Sequence, residues 1–121
     1  MRDHKELDVW KTGVDLVTAV YIATKSFPKE ESYGLTNQLR RAAVSIPSNI
    51  AEGAARQTNK EFVQFLYISL GSVAEVETQL IIADKLQYIA DVTPVLNRIA
   101  SLRKMLHGLI RHYRTKGGTG D

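Results

Sequence analysis

Residues 35–53 have the sequence LTNQLRRAAVSIPSNIAEG, which is the most unusual segment of the chain. Apolar residues recur in it at three- and four-residue steps, and this spacing predicts an amphipathic helix. Pro47 lies inside the pattern and removes one backbone hydrogen bond, so we expect a kink or a break near residues 43–47. Gly53 is a candidate for the residue that follows the last helical turn.

A second face of this helix is polar. Two interpretations are open: its side chains line a site, or they satisfy backbone groups freed by Pro47 and pair with a neighbouring helix, since buried polar groups need partners. Four residues of this face and two from further along the chain form the candidate polar network. They are Arg41, Ser45, Asn49 and Glu52, with Ser72 and Glu75.

The register between the second and third helices follows if they pack antiparallel about a loop near Gln57. Ser45 then lies level with Gly71 and Ser72. One turn away, the same register predicts an ion pair of Arg40 or Arg41 with Glu75.

Three further helical patterns flank this segment, and the sequence shows no strand pattern. The first covers about residues 7–26, with Asp8 as the candidate N-cap. The third begins with a capping box formed by Thr58 and Glu61 and ends near residues 86–87.

The fourth helix opens with Thr93 and Pro94, a favoured N-cap and first-turn pair. Four amphipathic helices joined by short loops predict an all-α fold, an antiparallel up-down-up-down four-helix bundle. We expect residues 1–114 to form this single domain and the Gly-rich residues 115–121 to form a disordered tail.

Composition excludes several classes of function. The chain has 121 residues and no cysteine, so disulfides, thiolate metal sites and cysteine nucleophiles are absent. There is no Glu-x-x-His motif, nucleophile elbow, P-loop or dinucleotide fingerprint, so we expect no metal, no cofactor and no catalytic residues. The charged N-terminus and the lack of a long apolar run predict a cytoplasmic protein without a membrane span.

Charge is unevenly distributed along the chain, whose net charge is +3. Residues 58–91 carry two Lys/Arg and five Asp/Glu, whereas residues 92–121 carry six Lys/Arg and one Asp. The fourth helix could therefore follow phosphates, or its charge could be matched by the acidic third helix within or between subunits. The candidate nucleic-acid-binding residues are Arg40, Arg41, Arg103, Lys104, Arg111 and Arg114.

The run from Gly34 to Gly53 closely resembles the signature of the bacterial four-helix-bundle proteins named after intervening sequences in 23S ribosomal RNA genes. Other segments of the chain agree with that family, and the resemblance covers roughly residues 5–113. These segments are LDVW at 7–10, SFP at 26–28, KEF at 60–62 and GSVAEVET at 71–78.

The resemblance implies a bundle that assembles as a ring-shaped homopentamer. It also implies kinship with the accessory protein of diversity-generating retroelements, which has a basic surface and binds nucleic acid beside a reverse transcriptase. No catalytic residues are defined for the family. A ring of five such chains, each of net charge +3, would carry +15, and repeated weak contacts would gain avidity.

The sequence thus supports two hypotheses of different class. One is a non-catalytic homo-oligomer that binds RNA or DNA through basic residues. The other is a protein-interaction or structural module without nucleic-acid binding, which predicts an exposed apolar or mixed surface patch.

Overall fold

Four helices make up almost all of the computed structural model, which describes residues 2–117. Short 3-10 turns at His4–Glu6 and Lys29–Glu31 precede the first and second helices. The helices are α1 (Asp8–Thr24), α2 (Leu35–Ala54), α3 (Asn59–Lys85) and α4 (Thr93–Gly117). No strand occurs in the described part of the chain, so the predicted all-α class is confirmed.

Each helix packs against two others. α1 contacts α2 and α4, and α3 contacts the same two helices from the opposite side, while α1 and α3 do not meet within residues 2–117. This arrangement is a four-helix bundle in which α1 lies diagonally across from α3, and α2 from α4.

Contacts between neighbouring helices follow an antiparallel register. Along α2 and α3, Ser45 pairs with Ser72, whereas nearer the connecting loop Gly53 lies against Phe65. Residue numbers therefore rise on one helix as they fall on the other. The core between the helices is aliphatic, with Phe62 its largest fully buried side chain.

Pro47 does not break α2, which continues through it for a further two turns. The ring is buried against α1, where a Cβ placed on Gly13 would lie 3.5 Å from Pro47 Cβ. Side chains also donate to carbonyls just before the proline: Asn49 to Ser45 O at 2.8 Å, and Ser69 to Ile46 O at 3.0 Å. The bond that Pro47 removes is the one to Ala43 O, so these contacts hold the helix around the proline without replacing that bond, whose loss in a helix interior costs about 3 kcal/mol.

Four predicted helix ends differ from the structure. Thr93 is the first residue of α4 rather than its N-cap, since the backbone N–H of Leu96 donates to Val92 O. Leu7 is the N-cap of α1 and Asp8 is its first residue, where a carboxylate suits the helix dipole. Gly53 lies inside the last turn of α2 and serves close packing rather than termination. α4 continues to Gly117, so the first three residues of the predicted tail are helical; residues 118–121 lie outside the described range.

Thr58 is the N-cap of α3, which is the first half of the predicted capping box. The Thr58 hydroxyl accepts from the backbone N–H of Glu61 at 3.1 Å and donates to its carboxylate at 3.1 Å. This cap fixes the tight connection between α2 and α3, and through it the register of that pair.

Candidate nucleic-acid interface

α4 carries the most one-sided charge in the molecule. Its segment from Thr93 to Gly117 has six Lys/Arg and no Asp/Glu. Arg98, Lys104, Arg111 and Arg114 are exposed. Because none of these four forms an ion pair among the described residues, their charge faces solvent.

Arg103 differs from the other candidates on α4. Both of its terminal nitrogens donate to the Glu77 carboxylate of α3, at 3.3 and 2.8 Å. The two side chains are 34% and 35% exposed, so this pair joins α3 to α4 at the edge of the core. For Arg103, the interpretation as a charge match with the acidic third helix is the one that the structure supports.

A cleft opens between α3 and α4 at the C-terminal end of α4. It has a volume of about 350 Å³, within the range of small-ligand sites, and its walls include Val63, Tyr67, Tyr113 and Arg114. Arg114 donates to the Tyr67 hydroxyl at 3.2 Å, and Arg111 lies beside Arg114 in an adjoining depression.

Single-stranded nucleic acids bind proteins by stacking their bases on aromatic rings and by pairing their phosphates with arginines. In the sequence, Tyr113 is the one aromatic residue of the basic helix, too few to suggest base stacking, and sequence reasoning missed Tyr67 of α3. Tyr67 could have been found by extending the antiparallel register of α3 and α4, which brings it level with Arg114.

The two arginines of α2 do not join this surface, because α2 lies diagonally across from α4. Arg40 folds onto α1: its Nε donates to Thr24 Oγ1 at 2.8 Å, and its guanidinium lies 4.5 Å from the centre of the Tyr21 ring. Arg41 is exposed and lines a shallow depression with Asn37 and Val44. The six candidate residues therefore fall into two groups on opposite sides of the bundle.

The predicted ion pair of Arg40 or Arg41 with Glu75 is wrong. Within residues 2–117 the ion pairs are Arg56–Glu52 and Arg103–Glu77. Arg40 is held on α1, while Arg41 and Glu75 are both exposed. In an exposed pair, hydration and side-chain entropy offset most of the Coulomb attraction, so level positions alone do not create a contact.

The predicted polar network is reduced to three members. The hydroxyls of Ser45 and Ser72 bond at 2.8 Å, and Asn49 Nδ2 donates to Ser45 Oγ at 2.9 Å. Glu52 instead pairs with Arg56 on its own helix, at 3.0 Å. The three connected residues lie in the seam between α2 and α3 and bond one another, and Ser45 also borders the depression lined by Arg41.

Arg2 is an important residue that sequence reasoning missed. Its guanidinium donates to Arg56 O at 2.8 Å and Ala54 O at 3.3 Å, and it also bonds Asn59. It lies 4.6 Å from the centre of the Phe62 ring. A cation placed on the last carbonyls of α2 suits the helix dipole, so Arg2 closes this end of the bundle.

The opposite end of the bundle is closed by Tyr88. Its hydroxyl donates to Glu31 Oε2 at 3.0 Å, and Glu31 Oε1 accepts from the backbone N–H of Leu35 at 3.0 Å. The hydrogen bond to Glu31, with desolvation and the negative charges of Glu31 and Glu30, raises the pKa of Tyr88 above its usual value. This link ties the start of α2 to the loop between α3 and α4.

In the described part of the chain, no group of three or more His, Asp or Glu side chains is placed to hold a metal ion. Across the same residues, α3 alone is long and apolar enough to cross a membrane, judged by length and composition. Of its most apolar 18-residue window, 39% is buried in the bundle, so a large part of its surface is left uncovered by the chain.

The comparisons with known proteins agree with this architecture. A model of the family described as 23S rRNA-intervening sequence protein matches residues 5–108. The chain belongs to this family. No curated protein gives a significant match.

A solved structure has a similar fold. It is the crystal structure of a protein with unknown function from the S23 ribosomal protein family of Bacteroides thetaiotaomicron. The two chains are 21% identical, with a TM-score of 0.77, and the match covers 85% of this chain and 95% of the other. At this identity the likeness defines the fold alone.

Proposed function

We propose that this protein is a cytoplasmic, non-catalytic homo-oligomer, a pentamer by family resemblance, that contacts RNA or DNA through α4. The observation that carries the proposal is the pair Arg111 and Arg114 beside the cleft lined by Tyr67 and Tyr113. Phosphates would lie on the arginines, and a base could stack on an exposed tyrosine ring.

Fewer residues are proposed to bind nucleic acid than the six candidates from the sequence. Arg111, Arg114 and Lys104 are exposed on one helix and form the proposed contact surface. Arg103 and Arg40 have protein partners, so their proposed role is structural. Repetition of this surface around a ring would strengthen weak individual contacts.

Binding of fluorescently labelled single-stranded RNA and DNA, measured by anisotropy at about 50 and 200 mM salt, tests the proposal. We expect the affinity of the wild-type chain to fall steeply as salt rises. The variant Arg111→Gln/Arg114→Gln should bind at least about tenfold more weakly, with a shallower salt dependence, because phosphate contacts release counterions.

Arg98→Gln is the matched control, since Arg98 is an exposed arginine near the other end of α4. It should bind like the wild type. Equal losses in both variants would indicate a diffuse charge effect, and no binding at low salt would make the nucleic-acid proposal wrong.

The second candidate function is a protein-interaction or scaffold module without nucleic-acid binding. It is favoured by the exposed apolar side chains of α3, among them Ile68 at 50% and Ile82 at 43% exposure. A pentamer that does not bind nucleic acid at low salt would support this alternative.

A further inference from the structure

Arg40 is a half-buried arginine that is held in place by uncharged groups. Its Nε donates to Thr24 Oγ1 at 2.8 Å, and its guanidinium lies 4.5 Å from the centre of the Tyr21 ring. Neither of the two ion pairs found within residues 2–117 includes Arg40. The positive charge of Arg40 is therefore fixed in position without a carboxylate to neutralise it.

The contacts that hold Arg40 leave part of its guanidinium unused. Thr24 is buried, and its hydroxyl donates in turn to Val20 O at 2.8 Å, so the acceptor of the Arg40 Nε–H is itself fixed. Nη2 of Arg40 reaches Tyr21 O only at 3.5 Å, and Nη1 has no hydrogen-bond partner in the described part of the chain. Since a guanidinium carries five N–H donors, the structural role of Arg40 leaves most of them for a ligand.

The shallow depression along α2 lies next to these unused donors and has a volume of about 540 Å³. Its walls are Tyr21 of α1 together with Asn37, Arg40, Arg41, Val44 and Ser45 of α2. No Asp or Glu of the described residues lines it. Two guanidiniums around a space without an acid create a positive potential that attracts anions.

We propose that this depression is an anion site, in which a phosphate monoester lies between Arg40 and Arg41. A phosphate monoester carries a charge of about −1.5 to −2 at neutral pH, which the two guanidiniums match, and each can bond phosphate oxygens through two parallel N–H donors. A phosphodiester of a nucleic-acid backbone carries one negative charge only, so the site should prefer the monoester. The volume leaves room for a small organic group beside Val44.

Charged groups near the depression do not cancel its positive charge. Glu75 of α3 is level with Arg41, but it is exposed and forms no ion pair with it. Asp15 precedes Tyr21 on α1 by six residues, which is about 9 Å along the helix axis. Lys25 is exposed one turn beyond Tyr21 and adds a positive charge on that side.

The fixed position of Arg40 distinguishes this site from the basic surface of α4. Arg98 and Arg111 are exposed, and no side-chain contact holds their guanidiniums among the described residues. An arginine that is already held in place loses less side-chain entropy when it binds an anion. A single phosphate group should therefore bind more tightly at Arg40 and Arg41 than on α4.

Amide NMR spectra of the full chain, recorded during titration with inorganic phosphate at neutral pH and constant ionic strength, test the proposal. We expect saturable shifts of the backbone amides of residues 37–45 and of the Arg40 Nε–H. The α4 amides should shift little. The absence of saturable shifts at the depression, or equal shifts on α4, would overturn the proposal.

Two exposed positions allow the site to be altered without disturbing the core. Arg41→Gln removes one guanidinium, and Asn37→Asp places an acid in the lining. Each should weaken phosphate binding by about tenfold or more, because hydrogen bonds to a charged group are the strong ones. Arg98→Gln is the matched control and should bind phosphate like the wild type. Wild-type affinity in Arg41→Gln would contradict a site between the two arginines.

Further probes establish what carries the phosphate. Dimethyl phosphate, a diester, should bind more weakly than inorganic phosphate, and equal affinities would overturn the preference for a monoester. If a 5′-phosphorylated oligonucleotide shifts the depression amides and its 5′-hydroxyl counterpart does not, the monoester is the end of a nucleic acid. If inorganic phosphate binds and neither oligonucleotide shifts these amides, the site belongs to a small phosphorylated molecule.

The phosphate site and the proposed nucleic-acid surface are judged by different variants. Arg111→Gln/Arg114→Gln should leave phosphate binding at the depression unchanged, since α4 lies diagonally across the bundle from α2. Loss of phosphate binding in that α4 variant would overturn the assignment to Arg40 and Arg41. Failure of the chain to bind oligonucleotides through α4 would leave the phosphate site standing.

Discussion

The inner and outer faces of α3 have similar residues but opposite surroundings. On the face toward α2, Ser69 donates to a backbone carbonyl of α2, and the hydroxyl of Ser72 bonds a hydroxyl of α2. Gly53 of α2 lets the two helices approach closely. On the outer face, Gly71 meets open space and Ile82 is 43% exposed. Small residues between two helices allow a close contact, whereas a Cβ on Gly71 would have no neighbouring atom within 4 Å.

The difference predicts which substitutions on α3 destabilise the fold and which do not. Changes on the inner face act on the free energy of unfolding of one subunit. Changes on the outer face remove no contact within the chain, so they should leave the free energy of unfolding of one subunit unchanged.

Gly53→Ala should have the largest effect on stability. A Cβ at this position would lie 2.5 Å from Phe65 Cβ and 3.3 Å from Phe62 O, so α2 and α3 would have to separate. Overpacking of this kind costs about 1–3 kcal/mol. Urea unfolding followed by circular dichroism measures it.

Gly108→Ala is the matched control, because a Cβ there meets nothing within 4 Å on another helix. It should be neutral or stabilise by up to about 1 kcal/mol, the helix propensity gained over glycine. If the two substitutions had equal effects, the close approach at Gly53 would not be a structural requirement.

Ser45 and Ser72 should show a moderate coupling in a double-mutant cycle with alanine. Their hydroxyls bond at 2.8 Å in a largely buried seam, so we expect a coupling free energy of about 0.5–1.5 kcal/mol from unfolding curves. The same cycle on Arg41 and Glu75 should give a coupling close to zero, since both are exposed and unpaired with each other. A larger coupling free energy for Arg41 and Glu75 than for Ser45 and Ser72 would contradict the hydrogen-bonded contact between α2 and α3.

Substitution of Tyr88 should have the smallest effect on stability, and this effect should depend on pH. Because the hydrogen bond to Glu31 raises the pKa of Tyr88 above 10.0, folding favours the neutral phenol. Its contribution is fully present below pH 10.0 and is lost as the pH rises through the raised pKa. Tyr88→Phe should lower Tm slightly at neutral pH, and the difference from wild type should shrink above that value.

Tyr33→Phe is the control, since Tyr33 is 97% exposed and should leave Tm unchanged. Glu31→Gln should lower the pKa of Tyr88 toward its ordinary value, as measured by absorbance at alkaline pH. A wild-type phenol that already titrates normally would show that the contact with Glu31 is too weak to tie the helix ends together.

Local signals in the sequence determined the helices themselves. The three- and four-residue apolar spacing gave four helices close to their observed bounds, and the capping box at Thr58 fixed where α3 begins. These features depend on neighbours within one or two turns, so they can be predicted without knowing the packing. The register that brings Ser45 to Ser72 followed from the short loop between their helices.

Tertiary structure decided the contacts of the other polar side chains and of Pro47. Pro47 stays inside a continuous helix with its ring buried against α1, and Arg40 turns to Tyr21 and Thr24 rather than to Glu75. Arg2 closes a bundle end more than fifty residues away, at Ala54. Tertiary structure also decided which basic residues are paired and which are exposed. The rotation of each helix about its axis, and the position of each helix in the bundle, depend on the whole core and not on any local pattern.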